Sequence, residues 1–357
     1  MSAPALSKTV PISTIEISAN NERSVATAAW LFAVAAIVLA MVVVGGATRL
    51  TGSGLSITQW DPIAGAIPPL NPRAWAQAFD LYRATPQYRL VNRGMSLGEF
   101  QFIFWWEWSH RLLGRLLGVV FFAPFVALLA TRRLPRRLIW RCAVLFFLGG
   151  LQGAVGWWMV KSGLEARVSV APERLATHLG LALILFVSLI WTGLEAWRGP
   201  ARAARRDGWT WASSALALGV FLQCLLGALV AGNKAGLIDN DWPLMAGRFV
   251  PDDYWAGGLW STLAHNASAV QFNHRFLAYA LLAGGLAMAV SAQVRRTTPP
   301  PVRRLAVLAA GLLTVQVMLG IGTLVWGVPL AMALAHQATA ALLLATATTF
   351  AWRARRI

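Results

Sequence analysis

The chain has 357 residues, 57% of them hydrophobic and 13% charged, with 18 tryptophans and a formal net charge of +17. A soluble domain of this length is far less apolar, so the sequence reads as an integral membrane protein. The positive charge would suit nucleic acid in a soluble protein, but here the arginines stand in short clusters between long apolar runs and mark topology instead.

Residues 1–24 are mixed and polar and read as a cytoplasmic N-terminal tail. Apolar runs of about 20 residues, enough to cross roughly 30 Å of hydrocarbon, then recur eight times, near 28–48, 104–130, 139–159, 174–196, 209–231, 270–293, 304–326 and 331–352. The first run is longer than a secretory h-region and no cleavage motif follows it, so it reads as a retained helix. Within the long loop 49–103, NPRAWAQAFDLY carries Asn71 as an N-cap, Pro72 in the first turn, and Trp75, Phe79 and Tyr82 on one face. That pattern predicts a helix over 71–84 lying on the outer membrane surface. Ser96 and Glu99 form a capping-box pattern that starts the next helix.

Arginines 132, 133, 136, 137 and 141 follow the second span, Arg198, Arg202, Arg205 and Arg206 the fourth, and Arg295, Arg296, Arg303 and Arg304 the sixth; Arg353, Arg355 and Arg356 close the chain. The positive-inside rule puts these segments and both termini in the cytoplasm. Only Cys142 and Cys224 are present, with no C-x-x-C spacing, which argues against a disulfide framework and against covalent c-type haem attachment.

The sequence repeats. GSGLSITQWDPIAG (52–65) aligns with KAGLIDNDWPLMAG (234–247) without a gap, SHRLLGRLLG (109–118) with NHRFLAYALL (273–282), QGAVG (152–156) with QVMLG (316–320), and ATHLGLAL (176–183) with LAHQATAA (334–341). Each half has four spans, an even number, so the halves share one orientation and are related by an axis along the membrane normal. The predicted fold is therefore all-α: eight transmembrane helices as two tandem, pseudo-twofold-related four-helix bundles, 25–200 and 201–357.

Four of the five histidines, His110, His178, His274 and His336, fall one to each even-numbered span at similar depth, towards the outer side. A lone intramembrane histidine has a bland explanation in an interhelical hydrogen bond. Two matched pairs in a repeat point to function, because ionisable groups are costly in lipid. Pairs of imidazoles facing each other across a four-helix bundle suit the axial positions of a six-coordinate haem, one in each half. Structural zinc would want four clustered ligands and fits poorly. His265 has no partner in the repeat and reads as an outer-loop residue.

The halves differ just before the first histidine of each pair. Glu107 precedes His110 by three residues, whereas the matching position before His274 is Gln271. An acid beside a haem moves protons or stabilises positive charge, which makes the first half the catalytic one and the second an electron-transfer site. The bland alternative pairs Glu107 with Arg111, one turn on. Arg111 and Arg275 follow the paired histidines in both halves and are candidates either for haem propionates or for snorkelling to the interface.

The chain resembles the haem A synthases on G-G-A-T-R-L-T-x-S-G-L-S at 45–56, E-F-x-x-I-F-W-W-E-W-x-H-R at 99–111, N-H-R at 273–275 and the single histidines at 178 and 336. The resemblance covers all eight spans. It implies an inner-membrane oxidoreductase that converts haem O to haem A by successive hydroxylations of the C8 methyl to a formyl group, for use by terminal oxidases. Carried over by position, His110 and His178 bracket the substrate haem O, Glu107 is the catalytic carboxylate, and His274 with His336 ligate a resident haem b, both sites lying towards the periplasm. It further implies delivery of haem O by the farnesyltransferase that makes it, contact with oxidase assembly factors and surrounding lipid, and leaves self-association into a homo-oligomer and the electron acceptor open. Some relatives carry an outer-loop cysteine pair that this sequence lacks. The competing readings are a dihaem b-type electron-transfer cytochrome, which needs no acid asymmetry, and a transporter, which wants broken helices with polar midplane residues.

Overall fold

A computed structural model describes residues 23–165, 167–201 and 206–356. Eight of its helices are long and apolar enough to cross a membrane: α1 (Val25–Leu50), α2 (Leu97–Ala130), α3 (Arg136–Glu165), α4 (Pro172–Arg198), α5 (Gly208–Gly232), α6 (Ala267–Val294), α7 (Pro300–Val325) and α8 (Leu330–Ala354). They coincide with the eight apolar runs. The expected tail lies outside the described residues apart from Arg23 and Ser24, as do Arg202 and Arg205.

Helix ends fall where cap residues stand, which is why several helices outrun their apolar stretch. Ser24 accepts from the Thr27 amide at 3.2 Å and opens α1. At α2 both arms of the capping box form, Ser96 Oγ accepting from Glu99 N at 3.3 Å and Glu99 Oε2 from Ser96 N at 2.8 Å, so the helix starts seven residues ahead of its apolar run. Asp207 and Asn266 cap α5 and α6 in the same way, accepting from Thr210 N and Ala269 N, each at 3.0 Å.

Each α1–α4 and α5–α8 set is packed around a closed circuit. α1 contacts α2 and α4, α2 contacts α3, and α3 contacts α4; α5 contacts α6 and α8, α6 contacts α7, and α7 contacts α8. The sets meet where α4 packs on α5 and where α8 packs on both α1 and α4. Leu31 and Val34 of α1, Leu183 and Phe186 of α4, Val220 of α5 and Leu344 and Phe350 of α8 are buried in one continuous core. In lipid such contacts are held by dispersion and close fit rather than by release of water.

The helix expected over 71–84 spans Pro72–Arg83, with Asn71 Oδ1 accepting from Ala74 N at 2.9 Å. Its apolar face lies against the first turns of α2: Phe79 stacks on Phe100 with centroids 4.9 Å apart, and Trp75 meets Phe104 edge-on at 4.9 Å. The capped extension of α2 covers this face, so the helix packs on protein through it. Burying Phe79, Tyr82 and Phe100 stabilises the loop by roughly 2–3 kcal/mol each.

Candidate functional site

The four paired histidines each stand against a glycine of the preceding odd-numbered helix. A Cβ added at Gly45 (α1), Gly156 (α3), Gly227 (α5) or Gly320 (α7) would lie 3.0, 2.9, 3.2 and 2.9 Å from Cε1 of His110, His178, His274 and His336 respectively. Any side chain at Gly156 or Gly320 would force the ring to move, and one at Gly45 or Gly227 would crowd it, so glycine sets the depth to which each imidazole sinks between helices.

His274 and His336 face each other, with centroids 6.4 Å apart and planes at 71°. Two metal–imidazole bonds of about 2 Å, with each ring centre about 1 Å beyond its nitrogen, bring centroids to roughly 6 Å. The His274–His336 separation therefore fits an iron between the rings. Among the described residues no group of three or more His, Cys, Asp or Glu side chains that could hold a metal ion assembles.

Glutamines stand one turn before three of the four glycines. Gln152 Nε2 donates to the backbone carbonyl of His178 at 2.9 Å and Gln223 Nε2 to that of His274 at 2.9 Å. The same amide nitrogens lie 3.2 and 3.1 Å from Nδ1 of the respective rings. Gln316 Nε2 is 3.3 Å from Nε2 of His336, whose Nδ1 donates to the Gln316 carbonyl at 3.1 Å. Such contacts fix the orientation of each ring.

Glu107 is buried and turned towards the loop that follows α1. Its Oε2 accepts from Ser56 Oγ at 2.7 Å and Ile57 N at 2.8 Å, and its Oε1 accepts from Arg111 Nη2 at 2.6 Å and Nε at 3.1 Å. Arg111 also donates to the carbonyls of Gln59 (3.0 Å) and Ile57 (2.8 Å). The pairing of Glu107 with Arg111 is thus present, and it is part of a clamp on the loop.

The second half repeats that clamp with an amide. Gln271 Nε2 donates to Ala235 O at 2.7 Å, and its Oε1 accepts from Arg275 Nη2 at 3.0 Å. Arg275 donates to the carbonyls of Asp239 (2.7 Å), Asp241 (3.0 Å) and Leu244 (2.9 Å). In this loop burial and the neighbouring Asp241 raise the Asp239 carboxyl above its ordinary range, whereas the Gly247 and Ala246 amides that Asp241 accepts hold its own carboxyl below it. Arg275 is thus committed chiefly to loop carbonyls, and Arg111 is divided between Glu107 and loop carbonyls.

His265 stands apart from the pairs. It closes a π-helical turn (Ser261–His265), packs on Trp260, and brings Nε2 to 3.9 Å from Glu173 of α4. The ring-facing glycines and the glutamines were missed by sequence reasoning, although Q-x-x-x-G recurs at 152–156, 223–227 and 316–320 and was the available signal. Ser56 and the Ile57 amide were missed because nothing in the sequence says which hydroxyl or backbone N–H will face an acid.

The sequence matches the family described as cytochrome oxidase assembly protein over residues 28–348. A heme A synthase of Caulobacter sp. (strain K31) is 60% identical over 336 residues, covering 94% of this chain and 98% of the relative. Those of Caulobacter vibrioides (57% over 336 residues, 94% and 98%) and Parvibaculum lavamentivorans (48% over 351 residues, 97% and 98%) are similar along their length as well.

Proposed function

The chain belongs to the cytochrome oxidase assembly protein family, and from that premise we propose that it is a multi-pass membrane oxidoreductase that makes haem A from haem O, oxidising the C8 methyl to a formyl group. The observation that supports this reading is the set of four histidines, each ring seated on a glycine, two of them, His274 and His336, facing each other, with an acid three residues before His110 and an amide three residues before His274.

His110 and His178 hold the substrate haem O, and His274 and His336 hold a resident haem b. When bound, the haem b supplies a one-electron acceptor within the same membrane. Glu107 is the proton-handling group of the first site: its Oε2 accepts a hydrogen bond from the Ser56 hydroxyl 2.7 Å away, and the Arg111 guanidinium on Oε1 keeps the carboxylate oriented. Arg111 and Arg275 act as loop clamps and meet propionates through their remaining donors. Arg275 Nε is one such donor, buried and without a hydrogen-bond partner.

We further propose two like-oriented halves, 25–200 and 201–357, supported by the matched packing circuits and the matched clamps. The arginine clusters favour an inner-membrane orientation with cytoplasmic termini and periplasmic-side haem sites. Haem O arriving from its farnesyltransferase partitions into lipid and enters the first half laterally, and haem A leaves towards oxidase assembly factors.

A dihaem electron-transfer cytochrome accounts for the histidine pairs but gives no reason for the Glu107–Gln271 difference. Extraction and chromatography of the haems of the purified full-length protein tests the proposal. Haem B together with haem O and haem A supports it; haem B alone favours the cytochrome, and no haem removes both.

A further inference from the structure

Glycine stands at 114 and 118 on α2 and at 149, 150 and 153 on α3, whereas the repeat places a side chain at every matching position of α6 and α7, Leu282, Leu313 and Val317 among them. These glycines lie along one seam. Phe146 of α3 stacks on Phe121 of α2 with centroids 6.0 Å apart and meets Phe122 at 5.1 Å. Gly150 and Gly153 continue the Phe146 face of α3, as Gly118 and Gly114 continue the Phe121 and Phe122 face of α2. A Cβ added at Gly118, Gly149, Gly150 or Gly153 would meet nothing within 4 Å, and one at Gly114 only the flexible end of Met41 at 3.7 Å. Gly149 continues the buried stripe of Leu138, Cys142 and Leu145 and is nevertheless exposed, while the matching Leu313 is buried. In the second half the seam is shut: a Cβ at Gly285, which matches Phe121, would collide with Leu313 Cδ1 and stand 4.0 Å from Ala310 Cα, and α6 meets α7 more extensively than α2 meets α3.

The space left between α2 and α3 is a slot with the three phenylalanines as its floor. At its other end are two polar atoms that are buried and have no hydrogen-bond partner among the described residues: His110 Nδ1, one turn from Gly114 on α2, and Gln152 Oε1, one turn from Gly149 on α3. Gly118 stands eight residues from His110, about 12 Å along the helix at roughly 1.5 Å per residue, so the slot leads from the level of the imidazole into the apolar part of the span. Contact with lipid does not ask for glycine, since the second half carries larger side chains at the matching positions. The haems assigned above to the two halves differ where haem O carries a farnesyl chain that haem B lacks. We propose that the slot between α2 and α3 holds that chain, so that its glycines select haem O for the first half, while the filled seam of the second half suits a haem without it. This rests on the substrate and axial-ligand readings given above. Because the chain arrives from lipid, what favours it in the slot is close fit and dispersion, and what rejects it from a filled seam is steric.

The test titrates the full-length protein in nanodiscs, its second site filled with haem B, with haem O and separately with haem B, and reads first-site binding from the Soret change. Wild type is expected to bind haem O about tenfold more tightly than haem B, or better. Gly149→Leu and Gly118→Leu, which return second-half residues to opposite walls of the slot, each weaken haem O by about tenfold or more and leave haem B within about twofold. Gly284→Leu on α6, where a Cβ also meets nothing within 4 Å, leaves both affinities unchanged, and an unaltered second-site spectrum shows that each variant is folded. If wild type binds the two haems equally, or if both slot variants keep wild-type affinity for haem O or weaken the two haems alike, the slot does not hold the chain and the ligand reading stands. If His110→Ala and His178→Ala leave both titrations as in wild type, the substrate-site reading fails and the inference with it.

Discussion

Glu107→Gln separates what the carboxylate does for the loop from what it does for turnover. Of its four hydrogen bonds, the two from Arg111 to Oε1 survive on an amide oxygen, and the Ser56 hydroxyl can rotate to accept from the new NH2 group. The Ile57 N–H, 2.8 Å from Oε2, cannot turn and is left facing a second donor. One unmet buried backbone donor costs about 1–3 kcal/mol. Weakening the bond to Arg111, which keeps the carbonyls of Ile57 and Gln59, adds about 1 kcal/mol. The sum of roughly 2–4 kcal/mol corresponds to a local opening constant about 30- to 900-fold larger. Hydrogen–deuterium exchange at the Ile57 amide in the full-length protein measures it, with the α5–α8 core as internal control. Haem content is expected to stay near wild type while haem A disappears and haem O accumulates. Exchange at Ile57 within threefold of wild type refutes the energetic reasoning, and an undiminished haem A yield refutes the catalytic role independently.

Two further outcomes follow from local geometry. Gly320→Ala puts a methyl 2.9 Å from His336 Cε1, whereas Gly153→Ala on α3 meets nothing within 4 Å; the first should perturb the low-spin haem spectrum and destabilise by about 1–3 kcal/mol, and the second should be silent in both. Tyr82 is fully buried, donates to Gln87 Oε1 at 3.0 Å, and has its phenol raised above the ordinary range mainly by burial, with Asn92, which donates to it at 2.7 Å, pulling the other way. A raised folded-state value means that its stabilisation is complete below about pH 10, the unfolded value, and is lost as pH rises through the folded one. Tyr82→Phe should therefore flatten the alkaline limb of a melting-temperature profile, and an unchanged limb counts against the assignment.

What the sequence disclosed and what it hid divide along physical lines. Spans were legible because the bilayer fixes a length that eight apolar runs meet, and helix starts at Ser96 and Asn71 because capping is local. The nearness of His274 and His336 was legible because each stands as a single histidine on its apolar run. Hidden were relations between a side chain and distant backbone. The carbonyls of Gln59 and Asp241 that engage Arg111 and Arg275 have no signature in residue type. The resting place of the Pro72–Arg83 helix depended on how far α2 extends beyond its apolar run.

The acid and the amide at the start of the two sites are not interchangeable, because each loop presents the complementary backbone group. Around Glu107 the loop offers donors, the Ser56 hydroxyl and the Ile57 N–H. Around Gln271 it offers acceptors, Ala235 O at 2.7 Å and Asp239 O at 3.3 Å. A glutamate at 271 would set carboxylate oxygens against two carbonyls and forfeit both donated bonds, so Gln271→Glu should cost about 2–3 kcal/mol, from the lost bonds and the unmet acceptors. In the double variant with Glu107→Gln the costs should add, since the two sites share no partner. Thermal unfolding of the single and double variants, with second-half haem retention alongside, reads this directly. Were Gln271→Glu as stable as wild type, the donor and acceptor sets of the two loops would not be what selects acid from amide, and the asymmetry of the halves would need another cause.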